Sequence, residues 1–178
     1  NGLEIKQYLK GYNEEELMDI AICVDFIAYY TKHIDSKLIE EVMFNKKLVK
    51  LLIKEINSRK EKTMKVVEHY ARINNKVVEL DLDKISFRNE FPQAGKITGW
   101  TNDLYKGFTT LGISNDFITF RSSNEKFNLH TLIKELKEKF PYASVNGGGH
   151  NVAGTIRFVS ASKEEVLDYV RAFTKLIE

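Results

Sequence analysis

Apolar residues in the first 70 positions recur every three or four residues, which predicts amphipathic helices. One helix is expected to begin after Asn13, because Glu16 completes a capping box and the first turn is acidic. A second is expected to start near Asp35 and to run through a charged stretch as far as Tyr70. Such a long helix, polar towards its end, indicates a connector or packing arm rather than a catalytic centre.

The pattern changes near Arg72 to short runs separated by turn residues, which are typical of strands. Asn74 and Asn75 tolerate the positive φ angles of a two-residue hairpin turn. Further strands are predicted over residues 96–100, 108–113, 117–121 and 155–159, with helices over 128–140 and from Ser162 onward. We therefore predict an α+β fold, a mixed β-sheet covered by helices in residues 71–178, preceded by a helical segment in residues 1–70.

The amino-acid composition limits which ligands and which kinds of site the chain could have. In 178 residues, 27 Lys and Arg stand against 25 Asp and Glu, so the net charge is only +2 and an anionic ligand needs a local site. The single cysteine, Cys23, excludes an internal disulfide, and no Cys/His cluster has zinc spacing. No apolar run approaches the roughly 20 residues of a membrane span. Because no signal peptide is visible either, we expect a cytoplasmic protein without a membrane partner.

A glycine-rich segment is the least ordinary part of the chain. Gly147, Gly148 and Gly149 precede His150, and we expect them to form a turn whose N–H groups make an anion-binding concavity. His150 would donate a hydrogen bond to phosphate. The P-loop and dinucleotide fingerprints are excluded, because His150 and Val152 stand where those motifs need lysine and glycine. A structural turn beside a surface histidine is the alternative.

A second segment offers a cation and two hydroxyls. Alternation through Phe120 predicts a strand that ends at Arg121, followed by Ser122 and Ser123. Arg121 would make a bidentate contact to phosphate, with the two serines closing around it. A solvated strand end is the alternative. Trp100, Tyr105 and Phe108 are further candidates, as platforms on which a base would stack, although most aromatic residues belong to a core.

The order of these segments resembles a known family. Phe120–Ser122, a helix of about a dozen residues, Gly147–His150 and then Ala153–Gly154 resemble the DHHA1 domain of the DHH/DHHA1 phosphoesterase superfamily. That superfamily includes RecJ-like exonucleases, nanoRNases and cyclic-dinucleotide phosphodiesterases. The resemblance implies a substrate-binding domain that faces a separate DHH domain holding two divalent ions, usually manganese. The expected phosphate-binding residues are Arg121, Ser122, Ser123, Gly147, Gly148, Gly149, His150 and Gly154.

The chain departs from that family in one respect, because it contains no Asp-His-His triplet. We therefore expect no catalytic residues, metal ligands or cofactor in this chain. Since the first residue is Asn1, the chain is expected to be a carboxy-terminal piece of a phosphodiesterase acting on short RNA, single-stranded DNA or a linear dinucleotide. Its partner would be the missing DHH domain with its Mn²⁺ ions. Alternatives are a catalytically inactive nucleotide- or nucleic-acid-binding module, and a homodimer formed through the long helix.

Overall fold

The structure is a computed structural model that describes residues 11–30, 36–85 and 91–176. The helices are α1 (Glu14–Tyr30), α2 (Ser36–Phe44), α3 (Lys46–Tyr70), α4 (Leu82–Ile85), α5 (Ala94–Leu104), α6 (Leu129–Lys139) and α7 (Lys163–Leu176). The strands are β1 (Arg72–Asn74), β2 (Val77–Asp81), β3 (Thr109–Ile113), β4 (Phe117–Ser122), β5 (Asn146–His150) and β6 (Ala153–Arg157). The chain divides into two compact units, residues 1–61 and 62–178.

Helix α1 in the first unit begins as the sequence predicts. The Asn13 side chain accepts from the Glu16 N–H at 2.8 Å, and the Glu16 carboxylate accepts from the Asn13 N–H at 3.1 Å. This reciprocal pair is the predicted capping box. Cys23 lies in the same helix with no exposed surface, and burial raises the pKa of its thiol to about 11. Cys23 is therefore a core residue with little thiolate character at neutral pH.

The prediction of one long helix from Asp35 to Tyr70 is wrong, and Asp35 itself lies outside the described residues. The structure has two helices, α2 and α3, separated at Asn45. The Asn45 side chain accepts hydrogen bonds from the N–H groups of Lys47 and Leu48, both at 3.1 Å. Asn45 therefore caps a new helix, because a short polar side chain can replace the missing backbone acceptors of a first turn.

The second unit is built on one six-stranded sheet in the order β1-β2-β3-β4-β6-β5. Strands β2 and β3 run parallel and all other neighbours are antiparallel, so the sheet is mixed. The predicted hairpin joins β1 and β2, but its two turn residues are Asn75 and Lys76 rather than Asn74 and Asn75. Asn75 lies in the left-handed region at φ 54°. These features confirm the predicted α+β class, with a mixed sheet covered by helices.

Residues 96–100 form part of helix α5, so the strand predicted there is wrong. Ile97, Thr98 and Thr101 are buried at helical spacing. The Thr98 and Thr101 hydroxyls donate to the carbonyls of Ala94 and Ile97 at 2.8 and 2.9 Å. Intrinsic strand preference is thus overridden, because the helix buries this side against the sheet and satisfies both hydroxyls internally.

The two faces of the sheet differ in their cover. Helices α6 and α7 pack on one face, which we call the two-helix face, around Phe120, Leu132 and Val170. The other face, which we call the α5 face, packs against α5 and the end of α3 through Val67, Leu80 and Ile97. Because neighbouring residues of a strand point to opposite faces, each strand position is assigned to one of these two environments.

Helix α5 approaches strand β3 at Gly112, where the sheet has no side chain. A Cβ placed at Gly112 would stand 2.9 Å from Leu82 Cδ1 and 3.0 Å from Thr119 Oγ1, and it would also meet the Thr98 hydroxyl. The Thr98 and Thr119 hydroxyls share a hydrogen bond of 2.6 Å across this point. The absence of a side chain at Gly112 is therefore what allows the helix to lie on the sheet.

We expect Gly112→Ala to lower the free energy of unfolding by about 1–3 kcal/mol, because the added methyl overpacks this contact. Gly95→Ala is the matched control, since no atom of the described residues outside its own helix turn lies within 4 Å of a Cβ built there. That variant should be neutral or stabilising by about 0.5–1 kcal/mol, as expected for replacing glycine in a helix. Urea unfolding of both variants measures the difference, and equal stabilities would contradict the close packing of α5.

Candidate functional site

Arg121 and His150 lie in one row across the sheet. Arg121 of β4 is paired with Ala153 of β6, and Ala153 is paired with His150 of β5. Directly paired residues of neighbouring strands point to the same face, so both side chains belong to the α5 face. With neighbouring strands about 4.8 Å apart, the two Cα atoms are separated by roughly 10 Å. Only the methyl group of Ala153 stands between them in the row.

The turn of the β5–β6 hairpin fixes this row. Asn151 and Val152 form the two-residue turn that follows His150. The Val152 carbonyl accepts from the Ser122 N–H at the end of β4, and the Asn151 carbonyl accepts from the Leu129 N–H at the start of α6, both at 2.8 Å. The turn is thus held by the two elements that precede it in the chain, which sets the register of β5 against β4.

The glycine-rich turn predicted over Gly147–Gly149 is wrong, because these residues form edge strand β5 and the turn lies at Asn151 and Val152. Gly147 and Gly149 belong to the two-helix face, and a Cβ on either would run into the backbone of β6. Gly149 also has φ 143°, which favours glycine. The chain's own packing therefore accounts for these two glycines.

Gly154 also has a packing reason. A Cβ built there would stand 2.5 Å from Leu129 Cδ2 of α6, on the two-helix face, and would meet the Gly148 carbonyl. Ala153, the residue before it, points to the α5 face. The Ala-Gly pair thus combines a small side chain between Arg121 and His150 with a close approach of α6 on the other side. The structure places Gly154 behind the row rather than within it.

Gly148 is the one glycine of β5 that belongs to the α5 face. It is paired with Thr155, and it has no heavy atom within 4 Å of a Cβ built on its backbone. Packing within the described residues therefore gives no reason for a glycine at this position. The bare backbone beside the Arg121–His150 row leaves room for a ligand to lie against the strand.

The Arg121 guanidinium is half-buried beside helix α5. Its Nε lies 3.7 Å from a Cβ built on Gly99, so the helix passes close to the arginine. Among residues 11–30, 36–85 and 91–176, no carboxylate forms an ion pair with Arg121 and no acceptor receives a hydrogen bond from its guanidinium. A half-buried guanidinium with its donors uncommitted is suited to an anionic ligand.

The two serines that follow Arg121 separate. Ser122 is buried on the two-helix face, where its hydroxyl is bonded to the Thr109 hydroxyl at 2.8 Å. The structure therefore places the Ser122 side chain away from Arg121, contrary to the expectation that both serines close around one phosphate. Ser123 is exposed, and its hydroxyl donates to Asn102 Oδ1 at 3.1 Å. Asn102 in turn donates to the Phe108 carbonyl at 2.8 Å.

Further polar residues, not predicted from the sequence, continue the α5 face along β5 and β6. Asn146, Thr155 and Arg157 line a groove of about 300 Å³ together with the predicted residues Gly147 and Gly148. The signal available in the sequence was the two-residue spacing of Ala153, Thr155 and Arg157 within one strand.

The aromatic candidates belong to the packing of this unit. Trp100 lies on α5, where its ring meets the Phe91 ring edge to face with centroids 5.8 Å apart. The ring centroids of Tyr105 and Phe108 are 5.9 Å apart, and both rings pack against the core of the α5 face. All three are half-buried by other parts of the chain, so the structure favours the core interpretation for them.

The described residues contain no group of three or more histidine, cysteine, aspartate or glutamate side chains that could hold a metal ion. The two divalent ions that the family resemblance implies therefore find no matching ligand set in this part of the chain. In the same residues, no helix combines the length and apolar character needed to cross a bilayer.

No protein-family model matches the chain. A relative from Methanocaldococcus jannaschii, described as an uncharacterized protein, is 30% identical over 190 residues, covering 91% of this chain and 25% of that protein. The chain thus spans about a quarter of the length of this relative.

Solved structures give three further likenesses. A DHH domain from a member of the s1p family of ribosomal proteins matches with a TM-score of 0.83 and 29% identity, over 93% of this chain and 44% of that chain. RecJ from Thermus thermophilus in complex with Mg²⁺ matches with a TM-score of 0.59 and 11% identity, over 89% of this chain and 25% of RecJ. The pGpG-specific phosphodiesterase PggH from Vibrio cholerae matches with a TM-score of 0.57 and 12% identity, over 99% of this chain and 68% of PggH.

The second and third likenesses show the fold alone, whereas the first extends to the sequence. All three proteins share the fold of this chain. The chain is therefore related to the DHH/DHHA1 superfamily.

Proposed function

We propose that residues 71–178 form a DHHA1-type substrate-binding domain that grips the terminal phosphate of a short oligonucleotide or a linear dinucleotide. The observation that carries the proposal is the shared row of Arg121, Ala153 and His150 on the α5 face. Two donor side chains that lie on either side of a small residue would hold one anionic group between them. The name of one structural relative, a pGpG-specific phosphodiesterase, supports a phosphodiester substrate.

The geometry of the row suits a phosphoryl group. With about 10 Å between their Cα atoms, Arg121 and His150 can approach one ligand from two sides. The guanidinium offers two parallel N–H donors to two phosphate oxygens, and the imidazole offers a third donor. The methyl group of Ala153 leaves the space between them open, and the bare Gly148 backbone extends that space along β5.

Substrate binding and hydrolysis would then belong to two different domains. This chain would bind the phosphate and orient the neighbouring ester bond, because correct positioning accounts for a large part of the rate of such reactions. A separate DHH domain, with two manganese ions, would hydrolyse that bond. The substrates that fit are short RNA, short single-stranded DNA and linear dinucleotides.

Arg121→Ala and His150→Ala should each weaken the binding of a 5′-phosphorylated dinucleotide by about ten- to a hundredfold. Each substitution removes a charge-assisted hydrogen bond of about 1.5–3 kcal/mol. Isothermal titration calorimetry on the 178-residue chain measures both effects. Arg72→Ala and His130→Ala are matched controls, because each removes an exposed side chain of the same type outside the row.

Binding by both variants at the strength of the parent chain would contradict the clamp. A loss in the control variants of the same size would indicate a general effect of charge rather than a site in the row.

Gly148→Val should leave the fold intact and weaken the same ligand by about tenfold or more, equivalent to at least 1.4 kcal/mol. The new side chain enters open space on the α5 face, so it meets no atom of the described residues but occupies the ligand's position. Thermal unfolding checks the fold, and calorimetry checks the affinity. An unchanged affinity in a folded Gly148→Val variant would show that the ligand does not lie against β5.

A further inference from the structure

We propose that the groove beside Arg157 is a second phosphate subsite, so that this domain binds single-stranded oligonucleotides more tightly than dinucleotides. The inference rests on the proposed function and names its ligand class, because a strand held by its terminal phosphate at the Arg121–His150 row would continue into this groove. Asn146, Gly147, Gly148, Thr155 and Arg157 line it.

The groove lies on the same face as the row and continues from it. Ala153, Thr155 and Arg157 alternate along β6, so all three point to the α5 face. Thr155 pairs with Gly148, and Arg157 pairs with Asn146. A ligand that leaves the Arg121–His150 row along the strands therefore crosses the threonine hydroxyl and the bare glycine backbone before it reaches the second arginine.

The Arg157 guanidinium is held at the far end of this path. It lies over the Phe117 ring, 5.4 Å from the ring centroid, and Phe117 is its neighbour on β4. Its ion pair with Asp116 is long, at 3.9 Å, and the two side chains are 68% and 54% exposed. Such an exposed pair contributes little energy, so a phosphate can take the place of Asp116. The aromatic contact keeps the cation in position for that exchange.

The distance between the two cationic rows defines the ligand length. Ala153 and Arg157 are four residues apart in one strand, which corresponds to about 13 Å at 3.3–3.4 Å per residue. A stacked nucleic acid strand advances about 3.4 Å per nucleotide along its axis, so at most about four nucleotides span this distance. A stacked dinucleotide fixed at the Arg121–His150 row ends before Arg157, whereas a pentanucleotide reaches it.

The experiment compares two ligands, a 5′-phosphorylated dinucleotide and a 5′-phosphorylated pentanucleotide of the same base, on the 178-residue chain. Arg157→Ala should weaken the pentanucleotide by about ten- to a hundredfold, the effect of losing one charge-assisted hydrogen bond. The dinucleotide affinity should stay within about twofold of the parent, because that ligand ends before the Arg157 side of the groove. The slope of log affinity against log salt for the pentanucleotide should become shallower by about 0.7, the value for one single-strand phosphate contact.

Arg72→Ala is the matched control, because Arg72 is exposed on β1 at the opposite edge and belongs to the two-helix face. It removes the same charge and should change neither affinity by more than about twofold. If Arg157→Ala left the pentanucleotide unchanged, or weakened both ligands equally, the second subsite would be wrong. The second subsite would also be wrong if Arg72→Ala had the effect expected of Arg157→Ala.

Failure of the proposed function would look different. Arg121→Ala should weaken both ligands, since both carry the terminal phosphate. If Arg121→Ala changed neither, or if the parent chain bound neither ligand, the terminal-phosphate clamp itself would be overturned. A loss with Arg121→Ala for both ligands, combined with no loss for Arg157→Ala, would leave the clamp standing and remove only the second subsite.

Discussion

Two hydrogen bonds at the tip of the β5–β6 hairpin hold the candidate site together. The carbonyls of Asn151 and Val152 accept from the first N–H of α6 and the last N–H of β4, so one turn joins three elements. Strand register matters here because side chains alternate at every residue, and a slip by one position would carry His150 to the face opposite Arg121. The residues between the Arg121–Ser122 segment and the Gly147–His150 segment form α6 and bring the chain back to the end of β4.

Local signals explain which parts of the fold could be predicted. The Asn13 capping box, the β1–β2 hairpin, strands β3 and β4 and helix α6 depend on residues close together in sequence, and the structure contains all of them. The strand predicted over residues 96–100 was wrong because packing against the sheet, and not the intrinsic preference of these residues, decides their secondary structure. The break at Asn45 carried a local signal, a capping side chain, but the apolar spacing on both sides masked it.

The placement of the candidate site residues was predicted only in part. Arg121 and His150 lie in one row, whereas Ser122 and Gly154 lie behind it. Alternation along a strand already requires Arg121 and Ser122 to point apart, so that error was avoidable from the sequence. Arg157 has the two-residue spacing of Ala153 and Thr155, but this spacing alone does not show that a groove lies beside it. Its significance comes from its neighbours on β4 and β5, which only the register supplies.

The edge position of β5 has a consequence for how tightly any ligand can be held. Glycine loses more backbone entropy on becoming ordered than any other residue, and three in a row form the strand that carries His150. Helix α6 packs on one side of this part of the sheet. The other side of the strand, which would meet a ligand, has no side chain at Gly148. Any further ordering of this glycine strand by a ligand would offset part of the interaction energy. The affinity would then be smaller than the sum of the individual contacts.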